Sequence, residues 1–441
     1  MIPSSRTTSA LKHYHLSQGQ NKKKLTVGII NLGCARNLVD SQIILGRLKK
    51  NGHHVVDAEL ADVAIVNTCS FIEEAKAESV DVILDLIELK KKGKIKKIIV
   101  AGCLAQRYAK ELASELKGVD AYVGALALEK AKFHPQVSLT PQHFAYVKIC
   151  ESCYNQCSFC VIPKIKGKFL SRTIESVIEE IKFLDKKGVK EINLVGQDIT
   201  AYGMDIYREK SLARLLKEMA RVSENVRWIR LLYAFPAHMD SELIDTMANE
   251  TKICRYIDMP IQHISDKILK SMNRGIGKQA TVDLISEIRE KIPQGSLRTT
   301  FIVGFPGETD KDFNELLAFI QKTRFERAGV FVYSKEEGTT AFDFDGHVAE
   351  TTKKERLDTL MTQQRNISRK VQERFLGQRL DVLIDEKQKG EDAIYLGRSE
   401  FDAPDVDGLV YVRSQKRLNP GDFVRVEITD AFEYDLSGES V

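Results

Sequence analysis

From Leu25 onward the chain alternates short apolar runs with segments whose apolar positions recur every three or four residues. Short continuous apolar runs predict buried strands, and the 3.6-residue period predicts amphipathic helices. The runs LTVGIINLGC, DVAIVNTC, KKIIVAGC and VDAYVG are separated by predicted helices that end near Lys50, span Glu73 to Lys91, and follow Cys103. Strands without polar alternation, each followed by a helix, predict a parallel sheet covered on both faces, here a Rossmann-like doubly wound α/β unit. It ends near residue 135, where Pro135 and Pro141 bracket a polar linker.

The alternation then resumes. Candidate strands lie at 144–149, 191–195, 227–233, 255–261, 297–303 and 328–333, separated by amphipathic helices such as 174–187 and 309–323. Parallel strands with crossover helices predict a partial or complete β/α barrel, whose chemistry sits at the C-terminal ends of its strands. A charged helix from about Thr352 to Phe375 closes this unit. Beyond Leu376 the helical period disappears, and LDVLID, AIYLGRS, GLVYVRS and DFVRVEITDAF alternate with Gly, Pro and Asp turns. That pattern predicts a small antiparallel β-barrel. The expected units are a disordered basic tail (1–24) and domains at 25–137, 138–372 and 373–441.

Length and composition agree with three domains: 441 residues, 43% of them hydrophobic, can bury several cores. No apolar run is long enough for a membrane span, and the first 24 residues lack a signal-peptide core, so a soluble cytoplasmic protein is expected. A transit peptide is the minor alternative for that tail. Eight cysteines are too few for a disulfide scaffold and are expected to be mostly reduced. The net charge of +4 becomes informative once divided: the tail carries five basic residues and no acid, whereas residues 376–441 carry 15 acidic and eight basic side chains.

Two cysteine groups carry the candidate chemistry. Cys153, Cys157 and Cys160 stand as C-Y-N-Q-C-S-F-C just after the first barrel strand. Structural zinc normally takes four ligands, and no fourth Cys or His stands beside this triplet. Three thiolates suit a four-iron cluster with one iron left open, which can hold S-adenosylmethionine. The spacing resembles the radical S-adenosylmethionine superfamily. Cys34, Cys69 and Cys103 have no motif spacing, yet each terminates a predicted parallel strand. Residues leaving neighbouring strand ends converge on one crevice, enough for a second four-iron cluster. Three small buried core residues are the alternative. Cys150 and Cys254 fit the core.

Two such triplets on these domains, followed by a small β-barrel, resemble the methylthiotransferase family over residues 25–441. NLGCARNLVDS, NTCSFI, AGCLAQ and FIVGFPGET are further marks of the resemblance. Ser152 departs from it, since members commonly have Gly immediately before the first barrel cysteine. The family has a transfer RNA branch, which modifies an adenosine, and a ribosomal-protein branch, which modifies an aspartate of the twelfth small-subunit ribosomal protein. YIDMPIQHISDKILKSMNRG, GQDITAYG and GRSEFDAPDVDG resemble the second. The acidic last domain, a TRAM barrel by resemblance, agrees in sign. Binding RNA calls for a basic surface, whereas acidic groups attract a basic protein. No direct nucleic-acid readout and no membrane partner are therefore expected. A zinc-binding or electron-transfer protein without radical chemistry is the reading from another class.

The resemblance implies two [4Fe-4S] clusters, S-adenosylmethionine and an electron donor, with the ribosomal protein free or within the ribosome. The cluster on Cys153, Cys157 and Cys160 would cleave S-adenosylmethionine, giving a radical that takes hydrogen from the aspartate β-carbon. The cluster on Cys34, Cys69 and Cys103 would carry the sulfur. Candidate cofactor contacts at strand ends are Phe159 near the adenine, Gln197 and Asp198, and the turn from Gly304 to Glu308. Each also fits a turn or core residue. Gln262 and His263 end another strand, where a structural histidine is the first reading and a substrate contact the second.

Overall fold

The first alternating block forms a five-stranded parallel sheet in the computed structural model, which describes residues 24–128, 133, 137–390 and 393–441. All of the expected basic tail except Lys24 lies outside the described residues. The strands are β1 (Thr26–Asn31), β2 (His54–Val55), β3 (Val63–Thr68), β4 (Lys97–Gly102) and β5 (Ala121–Val123), in the order β2-β1-β3-β4-β5. Helices α1 (Ala35–Lys50), α2 (Glu73–Lys91) and α3 (Cys103–Glu115) connect them. Alternate residues serve opposite faces: Ala64, Val66, Ile98 and Val100 join one apolar cluster, while Val63, Ile65 and Ala101 join the other. β3 is buried along its whole length, which explains its unbroken apolar run.

The second block is an open six-stranded parallel sheet, a partial barrel. Its strands are β6 (Phe144–Lys148), β9 (Glu191–Val195), β10 (Trp228–Leu231), β11 (Ile253–Asp258), β12 (Ser296–Val303) and β13 (Arg327–Val332), with β6 and β13 at the edges. A two-stranded antiparallel pair, β7 (Cys150–Glu151) and β8 (Leu170–Ser171), brackets the loop with three cysteines. Crossovers include α4 (Ile162–Lys166), α5 (Ile174–Lys186), α6 (Leu212–Val222), α7 (Ser241–Asn249), α8 (Asp266–Ser271), α9 (Lys278–Lys291) and α10 (Asp310–Thr323). The long α11 (Glu350–Gln372) closes the unit.

The two faces of this sheet differ. Val147, Ile192, Leu194, Ile229, Leu231 and Ile257 pack beneath the helices. Phe144, Tyr146, Trp228 and Tyr256 occupy the opposite face and meet Leu383 and Ala403 of the last domain. That domain is a closed barrel in the order β14-β15-β16-β18-β17, made of β14 (Arg379–Lys387), β15 (Ile394–Ser399), β16 (Val410–Arg413), β17 (Phe423–Ala431) and β18 (Leu436–Ser440). All its pairs are antiparallel except β16 with β18, which is parallel. The closing strand β18 reads LSGES, too polar and small to have been expected.

Ion pairs weld this domain to the sheet. Arg230 and Arg398 both pair with Glu191, at 2.9 and 2.7 Å. Arg327 pairs with Asp402 at 2.6 Å, and the hydroxyls of Tyr256 and Tyr146 donate to Asp407 and Asp405. Arg398 also meets Asp385, which bonds His143. The acidic surplus is thus partly internal: Asp402 and Asp407 have side chains only 3% and 2% exposed. The expectation of an acidic surface that seeks a basic protein is reduced accordingly. Among the described residues no helix is long and apolar enough to cross a membrane.

Candidate functional site

The first cysteine group is set by strand order. β1, β3 and β4 are immediate neighbours, and Cys34, Cys69 and Cys103 leave them at one edge of the sheet. Cys34 caps α1, and Cys103 begins α3. A helix N-terminus favours a thiolate there. Gly33 makes the close approach possible: at φ +88°, a Cβ on it would stand 2.8 Å from Cys69 Cβ. Burial pushes the Cys103 thiol up to about 12, and nearby Cys69 and Cys34 add to that rise. Burial acts on Cys34 as well, but the Arg36 guanidinium and the Asn37 amide outweigh it and hold that thiol below its ordinary value.

The second group sits on the loop after β7, tied to α8 and the turn beyond it. Ser158 donates through N to Met272 O (3.0 Å) and through Oγ to Ser271 O (2.7 Å). Asn273 Nδ2 donates to Gln156 O at 2.8 Å. Ser152 begins the loop at φ 65°, a left-handed conformation that glycine adopts most easily, and its buried hydroxyl donates to Gly167 O at 2.6 Å. Asn155 donates through N and Nδ2 to Cys153 Sγ (3.4 and 3.5 Å), and Arg274 Nη1 donates to Cys157 Sγ (3.3 Å). Burial pushes Cys153 up to about 11 and Cys160 up to about 12.

The groups adjoin. Cys103 packs against Val161, the residue after Cys160. A cavity of about 220 Å³ is lined by Cys153, Cys157 and Cys160 together with Arg36 and Phe71 from the first domain. Buried polar atoms in this wall have no partner among the described residues: Gln197 Oε1, Gln262 Oε1 and Arg274 Nε. Orphaned buried polar atoms are costly unless a ligand or water completes them. Tyr233 and Gln262, also in the wall, hold φ of 68° and 77°. Strained backbone of this kind gathers at ligand sites.

Among the described residues no three His, Cys, Asp or Glu side chains converge on a point that could hold one metal ion. A single zinc needs such convergence, whereas thiolates on three corners of a four-iron cube bind different irons. The donor set, three thiols per group with N–H donors aimed at sulfur, fits iron–sulfur chemistry.

Of the other sequence candidates, Phe159 and Gln197 line the cavity. Asp198 lies behind it, accepting from Asn155 Nδ2 (2.7 Å) and bonding His238 Nδ1 (2.8 Å), so it steadies the residue that touches Cys153. Gly304 and Glu308 are not in the wall. The Glu308 carboxylate accepts from Gly304 N (2.6 Å) and Arg356 Nη1 (2.9 Å), while a Cβ on Gly304 would meet Lys353 Cγ at 2.3 Å. That turn fits itself to α11. Gln262 lines the cavity, but His263 is buried with Nδ1 accepting from Ser265 N, and burial lowers its pKa to about 4. Cys150 and Cys254 are core residues. Sequence reasoning missed Arg36, Tyr233 and Arg274. Arg36 stands two residues after Cys34 and Arg274 closes SMNR, so both lay within segments already singled out.

Comparison with known proteins joins these observations. The Radical SAM superfamily matches residues 147–320, the family described as Uncharacterized protein family UPF0004 matches residues 26–124, and the TRAM domain matches residues 376–441. The ribosomal protein uS12 methylthiotransferase RimO of Clostridioides difficile (strain 630) is 44% identical over 440 residues, 94% of this chain and 98% of the relative. The protein of that name from Aquifex aeolicus (strain VF5) is 46% identical over 424 residues, 94% of this chain and 97% of the relative. Among solved structures, the radical S-adenosylmethionine methyltransferase TsrM from Kitasatospora setae, with cobalamin and a [4Fe-4S] cluster bound, aligns with a TM-score of 0.52 at 15% identity. It covers 70% of this chain and 75% of its own, a likeness of fold.

Proposed function

Because the chain belongs to the ribosomal protein uS12 methylthiotransferase family, we propose that it inserts sulfur and a methyl group at the β-carbon of an aspartate in uS12, giving 3-methylthioaspartate. The enzyme is a radical S-adenosylmethionine sulfur transferase. The observation that carries the finer reading is one cavity walled by Cys153, Cys157 and Cys160 of the barrel together with Arg36 and Phe71 of the first domain, where Arg36 is itself bonded to Cys34 of the other triplet. We assign each triplet a four-iron cluster, with functional units at 25–137, 138–372 and 373–441. When bound, the cofactors supply one-electron cleavage of S-adenosylmethionine, able to break an unactivated C–H bond, together with the sulfur and the methyl group.

The chain's own residues position and shield. Arg274 and Asn155 draw charge from Cys157 and Cys153, and Arg36 does so for Cys34. N–H donation to sulfur tunes such clusters. Gln197 and Gln262 present bare carbonyl oxygens that suit an amino group or ribose hydroxyl, and Phe159 offers a ring face for the adenine. The apolar part of the wall, including Phe71, Phe235 and Ile162, keeps water from a reactive carbon. An electron donor must dock from outside, and a ribosomal substrate places the reaction in the cytoplasm.

Mass spectrometry tests the substrate directly. The reconstituted enzyme is offered a peptide from the uS12 target loop together with unmodified transfer RNA. A methylthio mass gain on the aspartate peptide alone is expected; a gain on RNA alone would overturn the assignment.

A further inference from the structure

Each domain places one arginine in the wall of the shared cavity. Arg274 belongs to the barrel: Nη1 donates to Cys157 Sγ (3.3 Å), Nη2 donates to Pro260 O (2.5 Å), and the guanidinium lies 4.1 Å above the Phe235 ring. Arg36 belongs to the first domain: Nε donates to Cys34 Sγ (3.2 Å), Nη1 donates to Gly196 O (3.1 Å), and the guanidinium lies 4.5 Å above the Tyr233 ring. Three sides of Arg36 are therefore fixed. Its remaining nitrogen, Nη2, has no hydrogen-bond partner among the described residues, and no carboxylate pairs with the side chain. The nearby Glu151 is committed to Lys148 at 2.6 Å and Lys166 at 3.4 Å.

A guanidinium stays charged in any protein, and among the described residues this half-buried one is answered only by the Cys34 sulfur at Nε, which leaves its Nη2 edge unsatisfied and costly to keep. The protein also holds Tyr233, the platform beneath it, in a left-handed conformation secured by a Tyr233 N–H bond to Asp258 Oδ2 at 3.0 Å. This is the construction of a preorganised anion receptor. The proposed reaction, on which this inference rests, brings two carboxylates into the cavity: that of S-adenosylmethionine and that of the substrate aspartate. Arg274, bonded to a sulfur of the barrel triplet, stands on the cofactor's side.

We infer that Arg36 binds the side-chain carboxylate of the substrate aspartate through its Nη2 edge, orients the β-carbon between the two cysteine triplets, and sets the preference for aspartate over asparagine. A carboxylate accepts from this edge as a charge-assisted bond. An asparagine either gives a weaker neutral acceptor or turns its own NH2 toward the cation.

The test compares binding of fluorescent uS12-loop peptides carrying Asp or Asn at the target position, measured by anisotropy on the reconstituted holoenzyme with iron content recorded for each variant. Wild type is expected to prefer the Asp peptide by about tenfold or more. Arg36→Met should bring the two affinities within about twofold, and Arg36→Lys should restore a preference of several-fold. If Arg36 merely braces the fold, both peptides weaken in parallel in Arg36→Met and the ratio survives; that result overturns the inference, as does a wild type without preference. Should Arg36→Met fail to take up iron, Arg36→Lys decides by the same ratio. A wild type that modifies the Asp peptide while the variants keep its ratio overturns Arg36 alone. A wild type that ignores the peptide and modifies transfer RNA overturns the functional reading beneath it.

Discussion

The cavity and the joint with the last domain use similar residues to opposite ends. At the joint, Arg230, Arg398, Arg327 and Arg298 are matched by Glu191, Asp385, Asp402, Asp258 and Asp407, so each charge taken from water has a counter-charge. In the cavity, Arg36 and Arg274 meet only neutral acceptors and cysteine sulfur, and Gln197 and Gln262 leave oxygens bare. Left-handed non-glycine backbone gathers more at the cavity, with Ser152, Tyr233 and Gln262, than at the joint, where Asp405 alone among the residues named adopts it. Matched charge holds a structure together, whereas unmatched polarity and strain mark where something else must bind. Asn193, whose buried amide makes no bond, and Arg327 Nε show that the division is not absolute.

The largest effect should come from the cavity's sulfur. Anaerobic reconstitution should give about eight irons per chain, falling to about four when either triplet is replaced by Ala. Replacing Cys153, Cys157 and Cys160 should abolish S-adenosylmethionine cleavage. Replacing Cys34, Cys69 and Cys103 should leave cleavage without methylthiolation. Both variants should unfold close to the wild-type apoprotein's temperature, because what they strip from Arg36 and Arg274 is a single sulfur contact each rather than a buried carboxylate. Retained methylthiolation without the Cys34 group would sink the two-cluster assignment.

The joint should respond in reverse. Glu191→Gln strips the wholly buried Arg230 of its carboxylate partner and leaves the nearly buried Arg398 with Asp385 alone. An uncompensated buried charge costs about 3–5 kcal/mol, here read as a fall in the denaturation midpoint. Iron uptake by the protein that remains folded should be unchanged. A loss below about 1 kcal/mol would mean that water reaches the joint and that the contrast with the cavity is overdrawn.

Much of this was legible beforehand, for physical reasons. Buried parallel strands must be apolar on both faces, so β1, β3, β4 and the barrel strands stood out. The C-x3-C-x2-C loop is local and carries its chemistry in its spacing. Cys34, Cys69 and Cys103 were legible only through their positions at strand ends, because parallel topology brings together residues far apart in sequence. Pairing was not legible. Asp402 and Asp407 looked like surface acids because their arginine partners, Arg327 on β13 and Arg298 on β12, lie 75 and 109 residues away in sequence. Arg36 was read as part of a motif, since nothing in the sequence says that Glu151 is already taken. Gly304 and Glu308 matched a cofactor-binding pattern, but the turn's glycine accommodates Lys353 of α11.

The smallest effect concerns Ser152, where the strain of the cavity side can be weighed by itself. A non-glycine residue in the left-handed region costs about 1–2 kcal/mol, and the buried bond from its hydroxyl to Gly167 O returns about 1 kcal/mol. Ser152→Gly removes both the strain and the bond and frees the unfolded chain by about 0.5–1 kcal/mol, so its stability should lie within about 1 kcal/mol of wild type. Ser152→Ala keeps the strain and loses the bond, leaving Gly167 O short of a donor, and should cost about 1–2 kcal/mol. Alanine should therefore be worse than glycine, the reverse of the order in a helix or strand. Thermal denaturation of the apoproteins reads this order. If alanine proved the more stable, the Ser152 conformation would not be strained, and the serine would be replaceable filler rather than a compensated substitute for glycine at the root of the cluster loop.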